Sequence, residues 1–327
     1  MKSKVDISVV VPVLNEEGNV RLLWQRLSRV LSVLGRRFEV VFVDDGSTDR
    51  TFAIVKDLHE EDQRVRGIAF SRNFGHQIAL MAGLGQTCGD IVVTLDGDLQ
   101  HPPEIIPHLY GKYEEGYDIV NTRRVDEAGA GVFKKVTSRW FYRLINRLSD
   151  VRIEPASADF RLMSRATVNA FLAMPERDRF TRGLVGWMGF RQAVVEYQAE
   201  PRASGQTKYH LRKMIEFALN GVTSFSSRPL RLSFYSGCLI SLAGLLYAVY
   251  AVAAFFVGNT MPGWTSILVT LLIIGGAILI NLGIVGEYIA RIFNEVKARP
   301  LYFIREQTGF PDEVHEAVRH ETSEAKL

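Results

Sequence analysis

Short apolar runs rich in Val and Ile alternate with stretches of helical spacing through the N-terminal part of the chain. The runs are Ile7 to Val13, Val40 to Val43, Val65 to Phe70, Ile91 to Leu95, and Ile119 to Val120. Between them, Val20 to Leu34, Thr51 to Leu58, Gln77 to Gly85 and Ile105 to Tyr113 repeat apolar residues every third or fourth position, the pattern of a helix with one buried face. Such alternation predicts βαβ units and an α/β domain built on a mostly parallel sheet with helices on both faces. The pattern breaks after Leu148, and Asp159-Phe160-Arg161-Leu162-Met163 reads as one further strand.

From Leu232 to Gly286 the character changes, because no Asp, Glu, Lys, Arg or His occurs. That length exceeds the roughly 20 apolar residues that cross a bilayer core. Gly258-Asn259-Thr260-Met261-Pro262-Gly263 interrupts it near the middle. Two membrane spans are therefore expected, over residues 232–257 and 264–286. Arg228 and Arg231 precede the first, Arg291, Lys297 and Arg299 follow the second, and the turn carries no Lys or Arg. The positive-inside rule places both flanks in the cytoplasm. The expected organisation is an α/β domain over residues 1–205, a juxtamembrane amphipathic helix over 206–231, the two spans, and an interfacial helix and tail over 287–327.

Composition adds little. A net charge of +3 gives no support for nucleic-acid binding. Cys88, in a segment of helical pattern, and Cys238, in the first span, are expected to stay reduced. The apolar run after Met1-Lys2-Ser3-Lys4 is too short for a signal sequence, which leaves membrane delivery to the spans. Lys135, Arg139, Arg143 and Arg147 recur at every fourth position beside Phe133, Val136, Trp140, Leu144 and Leu148. A helix with one cationic and one apolar face suits a membrane interface, and a core-packed helix with a solvated basic face fits the same spacing. Arg202, Arg212 and Lys213 are expected to meet anionic membrane lipids, each worth on the order of 1 kcal/mol.

The candidate chemistry lies at three strand ends. These are Asn15-Glu16-Glu17, Asp44-Asp45-Gly46-Ser47-Thr48-Asp49 and Asp96-Gly97-Asp98-Leu99-Gln100. In open α/β sheets, ligands bind beyond the carboxyl ends of the strands. Asp-Gly-Asp alone reads as a surface turn, but at the end of a buried strand its two carboxylates point to Mg²⁺ or Mn²⁺, hard cations that share their coordination with substrate phosphates. Ser47, Thr48 and Asp49 are also good helix caps, yet capping does not require two acids before the glycine. No G-x-G-x-x-G or G-x-x-x-x-G-K-[ST] follows any strand, so dinucleotide oxidoreductase and P-loop readings fall away.

The set Val11-Pro12-Val13-Leu14-Asn15-Glu16, Val43-Asp44-Asp45-Gly46-Ser47-Thr48-Asp49, Arg72-Asn73-Phe74-Gly75 and Leu95-Asp96-Gly97-Asp98-Leu99-Gln100-His101-Pro102-Pro103-Glu104 resembles family 2 glycosyltransferases of the GT-A fold. With the hairpin included, the chain is similar to the polyprenyl-phosphate glycosyltransferases, from Ile7 to about Phe303. The resemblance implies that Pro12, Asn15, Glu16, Asp44 and Asp45 form the nucleotide pocket, with Asp96 reaching the nucleotide sugar. It implies Asp96, Asp98 and Gln100 as metal ligands and Asp159 as the catalytic base, although an acceptor phosphate already largely dianionic at neutral pH leaves Asp159 an orienting role instead. Gly205-Gln206-Thr207-Lys208-Tyr209 resembles the family's acceptor segment, with Thr in place of Ser. Arg123, Arg124, Arg139 and Lys208 are candidates to hold a lipid phosphate, since guanidinium forks match phosphate oxygens.

The expected reaction is inverting transfer from a UDP-sugar to polyprenyl phosphate at a bacterial inner membrane, supplying lipid-linked sugar for the cell envelope. Loops around Arg72 to His76 and His101 to Glu104 are expected to select the sugar, and a tetramer is compatible with the short anchor. A processive polysaccharide synthase would need Gln before Arg139-Trp140, where Val136 stands. A non-catalytic scaffold or flippase subunit would have no use for the acidic set.

Overall fold

The computed structural model describes residues 5–125, 157–177, 181–198, 226–256 and 263–310. The basic stripe with Arg139, the acceptor segment with Lys208, and residues 206–225 of the expected juxtamembrane helix lie outside them. The described residues fall into two compact units, one built on the sheet and rejoined by the chain at Arg299, the other a helical hairpin that ends at Ala298.

The sheet unit opens with β1 (Ile7–Val13), α1 (Val20–Val33), β2 (Phe38–Asp44), α2 (Thr51–Glu61), β3 (Val65–Phe70), α3 (His76–Gln86) and β4 (Ile91–Thr94). A 3₁₀ turn at Pro103–Ile105 leads into α4 (Ile106–Glu114), then β5 (Ile119–Val125), β6 (Ser157–Ser164), α5 (Arg165–Leu172), α6 (Thr181–Trp187) and β7 (Gln192–Gln198). A last strand, β8 (Ile304–Thr308), follows the hairpin. The eight strands order as β7-β5-β6-β4-β1-β2-β3-β8. Pairings β4 with β1, β1 with β2, β2 with β3 and β5 with β7 are parallel, while β6 runs antiparallel to both β4 and β5, and β8 antiparallel to β3. The expected GT-A type of α/β domain is what the chain forms.

Every residue of β1 and β2 is buried. This is the burial expected of central parallel strands covered on both faces, and it explains why they read as continuous rather than alternating apolar runs. In α1, Leu23, Leu27 and Leu31 form the buried stripe that packs with Trp24 into the same core as Val9, Val11, Val40 and Phe42. Cys88 lies just past the end of α3 rather than within a helix, because Thr87 already leaves the helical backbone. Neither it nor Cys238 is bonded to another cysteine.

The hairpin unit consists of α7 (Arg228–Phe256) and α8 (Trp264–Val296). Within them, Arg228–Tyr250 and Val269–Val296 are long and apolar enough to cross a membrane, with mean hydropathies of 1.7 and 2.3. Ser233 Oγ donates to Asn281 Oδ1, and Asn281 Nδ2 returns to the Ala277 carbonyl at 2.7 Å, so the one amide in the second span has partners within the pair. Past Gly286, α8 continues without a break to Val296.

Candidate active site

Because β4, β1 and β2 are neighbours and parallel, their carboxyl ends emerge side by side at one edge of the sheet. The loops after β1 and β2 lock together. Asn15 N donates to Ser47 Oγ at 2.9 Å, Thr48 N donates to Asn15 Oδ1 at 2.9 Å, and Glu16 N donates to Thr51 Oγ1 at 2.8 Å. Asn15 adopts φ +55°, a left-handed conformation that asparagine tolerates better than most residues. Glu16 is clasped by Asn19 Nδ2 at 2.5 Å. Pro12 is buried in β1 opposite Val43. Here Gly97 approaches so closely that an added Cβ would lie 2.7 Å from Val13 Cγ1 and 3.1 Å from the Pro12 carbonyl oxygen.

Asp44 and Asp45 take opposite parts. Asp45 accepts from Phe74 N at 2.7 Å and from Gly75 N at 2.9 Å, which fixes the Arg72-Asn73-Phe74-Gly75 loop above the sheet edge. Asp44 is wholly buried; its Oδ1 accepts from Ser47 N at 3.0 Å, while Oδ2 has no hydrogen-bond partner. Burial pushes the Asp44 carboxyl up from its ordinary value, against the hydrogen bonds from Ser47. A buried acceptor with an open lone pair, at a ligand-facing strand end, is suited to an N–H of a bound molecule. Gly46 makes the turn between the two loops, with φ +77° and an added Cβ only 2.4 Å from the Arg72 carbonyl carbon.

Asp96 sits between two imidazoles. His76 Nε2 lies 2.9 Å from its Oδ1 and His101 Nε2 lies 3.0 Å from its Oδ2. Burial acts to raise the Asp96 carboxyl, but the hydrogen bonds from His101 and His76 outweigh it and hold the group far below the usual carboxylate range. The other His101 nitrogen meets the Tyr197 hydroxyl at 2.5 Å, and burial pushes that phenol up to about 12. Asp98 Oδ1 accepts from Gln100 N at 3.1 Å, and Leu99 between them is held at φ +61°. A leucine in that region stores on the order of 1–3 kcal/mol of backbone strain, a cost typical of ligand sites. Gln100 turns its Oε1 toward Arg124 at 3.4 Å and leaves Nε2 buried and unpartnered, which gives its side chain the character of a donor.

Asp159, from β6, accepts from Arg161 Nη2 at 3.0 Å and from Gln77 Nε2 at 3.3 Å, with both Asp159 and Arg161 buried. Of the two arginines on β5, Arg124 turns toward Gln100, whereas Arg123 pairs with Glu196, its cross-strand neighbour on β7. Period-two alternation puts consecutive residues of a strand on opposite faces, so only one of the pair can reach the site. His76, His101, Tyr197, Gln77 and Arg161 were not singled out from the sequence as site residues. The first two lie in the loops expected to select the sugar, and the others carry no local signal.

Among the described residues, no group of three or more His, Cys, Asp or Glu forms a metal cage. A hard cation bound together with substrate phosphates needs only one or two protein carboxylates. Asp96 and Asp98, one glycine apart at the strand end, fit that requirement.

Residues 8–171 match the glycosyl transferase family 2 profile, and residues 228–292 match the GtrB C-terminal hairpin. The chain is 42% identical over 310 residues to the uncharacterized glycosyltransferase YkcC of Bacillus subtilis, covering 94% of this chain and 96% of that protein. It is 41% identical over 300 residues to the bactoprenol glucosyl transferase of Shigella phage SfII, with 91% and 97% covered. It is 40% identical over 300 residues to a prophage bactoprenol glucosyl transferase homolog of Escherichia coli, with 91% and 98% covered. With its acidic strand ends, its matched hairpin and these full-length relatives, the chain belongs to glycosyltransferase family 2 and is a membrane-associated glycosyltransferase.

Proposed function

We propose that the protein transfers a sugar, best read as glucose, from a UDP-sugar to polyprenyl phosphate, with inversion at the anomeric carbon. The observation that carries the reading is the pairing of functions at one sheet edge. Asp44 offers a buried open acceptor, and the Asp96-Gly97-Asp98 turn stands one strand beyond β1. The relatives named as bactoprenol glucosyl transferases support a lipid-phosphate acceptor and glucose as the sugar.

In this reading Asp44 accepts the imide N–H of the base, and Asp45 holds the Arg72 to Gly75 loop over the donor. Asp96 and Asp98 would hold Mg²⁺ or Mn²⁺, whose chemistry there is to offset the negative charge building on the departing diphosphate. His76 and His101 fix the Asp96 carboxylate in one orientation, and the Gln100 amide donates toward the phosphate oxygens. A lipid phosphate oxygen attacks the anomeric carbon from the face opposite UDP. The bond to the diphosphate breaks, its electron pair leaves with UDP, and a new C–O bond joins sugar to lipid phosphate.

Asp159 serves best as an orienting group. A phosphate monoester has its second pKa near about 6, so the acceptor is largely dianionic at neutral pH and needs no base. The carboxylate is moreover engaged by Arg161 and Gln77. Arg124, which turns toward Gln100, is the cation for the acceptor phosphate, and the other two candidates, Arg139 and Lys208, lie outside the described residues. The charge asymmetry around the hairpin supports a cytoplasmic sheet unit at the inner membrane.

The test is a donor screen in which purified full-length protein and undecaprenyl phosphate are offered UDP-glucose, UDP-galactose, UDP-N-acetylglucosamine and GDP-mannose. Label entering the organic phase from UDP-glucose is expected, and preference for GDP-mannose would contradict the nucleotide assignment.

A further inference from the structure

Arg305 lies outside both segments that match a family profile, 8–171 and 228–292, and is separated from the acidic motifs by the whole membrane hairpin. Yet its Nη2 stands 3.8 Å from Asp44 Oδ2, the buried oxygen without a hydrogen-bond donor. The approach is built into the strand register. Ala69 pairs with Glu306 but Phe70 pairs with Ile304, which leaves Arg305 as the extra residue of a bulge on β8. A bulge of this kind re-aims one side chain without disturbing the neighbouring pairs. Asp44 in turn is the register partner of Ala69, so the bulge falls on the row that contains it.

The segment that carries Arg305 is anchored on both sides. Ser71 N donates to the Phe303 carbonyl at 2.9 Å, and Tyr302 stacks on Phe70 with ring centres 4.9 Å apart. Phe303 leans on Phe74, in the loop that Asp45 pins, and Glu306 pairs with Lys56 at 2.8 Å. Half of the Arg305 side chain remains exposed, so the guanidinium borders the opening of the pocket rather than filling it.

We propose that Arg305 is a positioning residue of the donor pocket, holding Asp44 as a charged acceptor for the base of the incoming nucleotide. A cation beside a buried carboxylate offsets the cost of keeping it ionised. A protonated Asp44 would present an O–H to the base and lose selectivity for an imide N–H. The strand that returns from the hairpin is thereby a working wall of the nucleotide site. This inference rests on the nucleotide-donor reading above.

The test uses full-length protein with Mn²⁺ and measures UDP binding by calorimetry, then the donor KM and kcat in the transfer assay. Arg305→Met is expected to weaken UDP binding and raise donor KM by about tenfold, with kcat within about twofold. Arg305→Lys, which keeps the charge, is expected to recover most of the loss. Glu306→Gln, which loosens the same strand through an exposed ion pair, is expected to leave donor KM unchanged. Unaltered UDP binding in Arg305→Met would overturn the assignment while leaving the glycosyltransfer reading intact, and so would an equal loss in Glu306→Gln. Failure of the wild-type protein to bind UDP at all would overturn both.

Discussion

His101 joins Tyr197 to Asp96, with its Nδ1 2.5 Å from the phenol and its Nε2 3.0 Å from the carboxylate. Since the phenol is pushed up to about 12, it stays neutral at every working pH and serves only to fix the imidazole. Under the proposed role of Asp96 as a metal ligand these two are its outer partners, and removal of such partners commonly lowers metal affinity or activity about 10- to 100-fold. His101→Ala should therefore raise the Mn²⁺ concentration needed for half-maximal activity, and Tyr197→Phe should do so more mildly. Titration of activity with Mn²⁺ checks both.

Asp44→Asn separates stability from function. The folded-state pKa of Asp44 is raised by burial, so the ionised side chain destabilises the ligand-free fold as pH rises through that value. Below the ordinary aspartate value of about 3.9, wild type and variant should melt alike. At neutral pH the variant should melt higher than wild type. Donor KM should rise, because the amide presents a donor where the base needs an acceptor. Melting curves across pH, paired with donor kinetics, check the two signs.

Gly46→Ala should be far more damaging than its chemistry implies. The added methyl would meet Arg72 backbone at 2.4 Å, in a conformation with φ +77°. Strain of about 1–3 kcal/mol is expected, with displacement of the loop that Asp45 holds. Gly18→Ala, where nothing lies within 4 Å, is the control and should melt like wild type. Thermal unfolding and UDP affinity report the two consequences.

Asp159→Asn keeps the shape of the side chain but removes the charge facing Arg161. Arg161 is buried, so losing a charged partner 3.0 Å away should lower both stability and turnover. If the role is orientation of the acceptor, kcat falls about 10-fold or more while UDP affinity is kept. A loss confined to UDP affinity would place Asp159 in the donor pocket.

Much of the sheet was legible because its central strands are buried on both faces and bounded by turn residues. β1 and β3 have the predicted limits, Ile7–Val13 and Val65–Phe70. β7 was missed because Gln192, Glu196 and Gln198 break up its apolar residues, and its exposed positions alternate with partly or fully buried ones, as sheet margins do. β8 was missed for a stronger reason. Ile304–Thr308 has a single aliphatic residue, and its pairing with β3 joins positions separated by the whole hairpin. The acidic strand ends could be located from spacing alone. Their partners could not, since His76 reaches Asp96 only through the crossover that carries α3, His101 only through the fold of the turn that follows Asp96, and Arg161 reaches Asp159 along a strand whose faces the sequence does not reveal.

In the proposed reaction the Asp96-Gly97-Asp98 turn serves metal-assisted transfer of sugar from UDP to a lipid phosphate. Its most direct test is the transfer of radiolabelled glucose from UDP-glucose to undecaprenyl phosphate by full-length wild type and Asp98→Asn in the presence of Mn²⁺. Label is expected in the organic phase with wild type, with a fall of at least about 100-fold in the variant. Full activity in Asp98→Asn, or wild-type label that never enters the lipid, would contradict it.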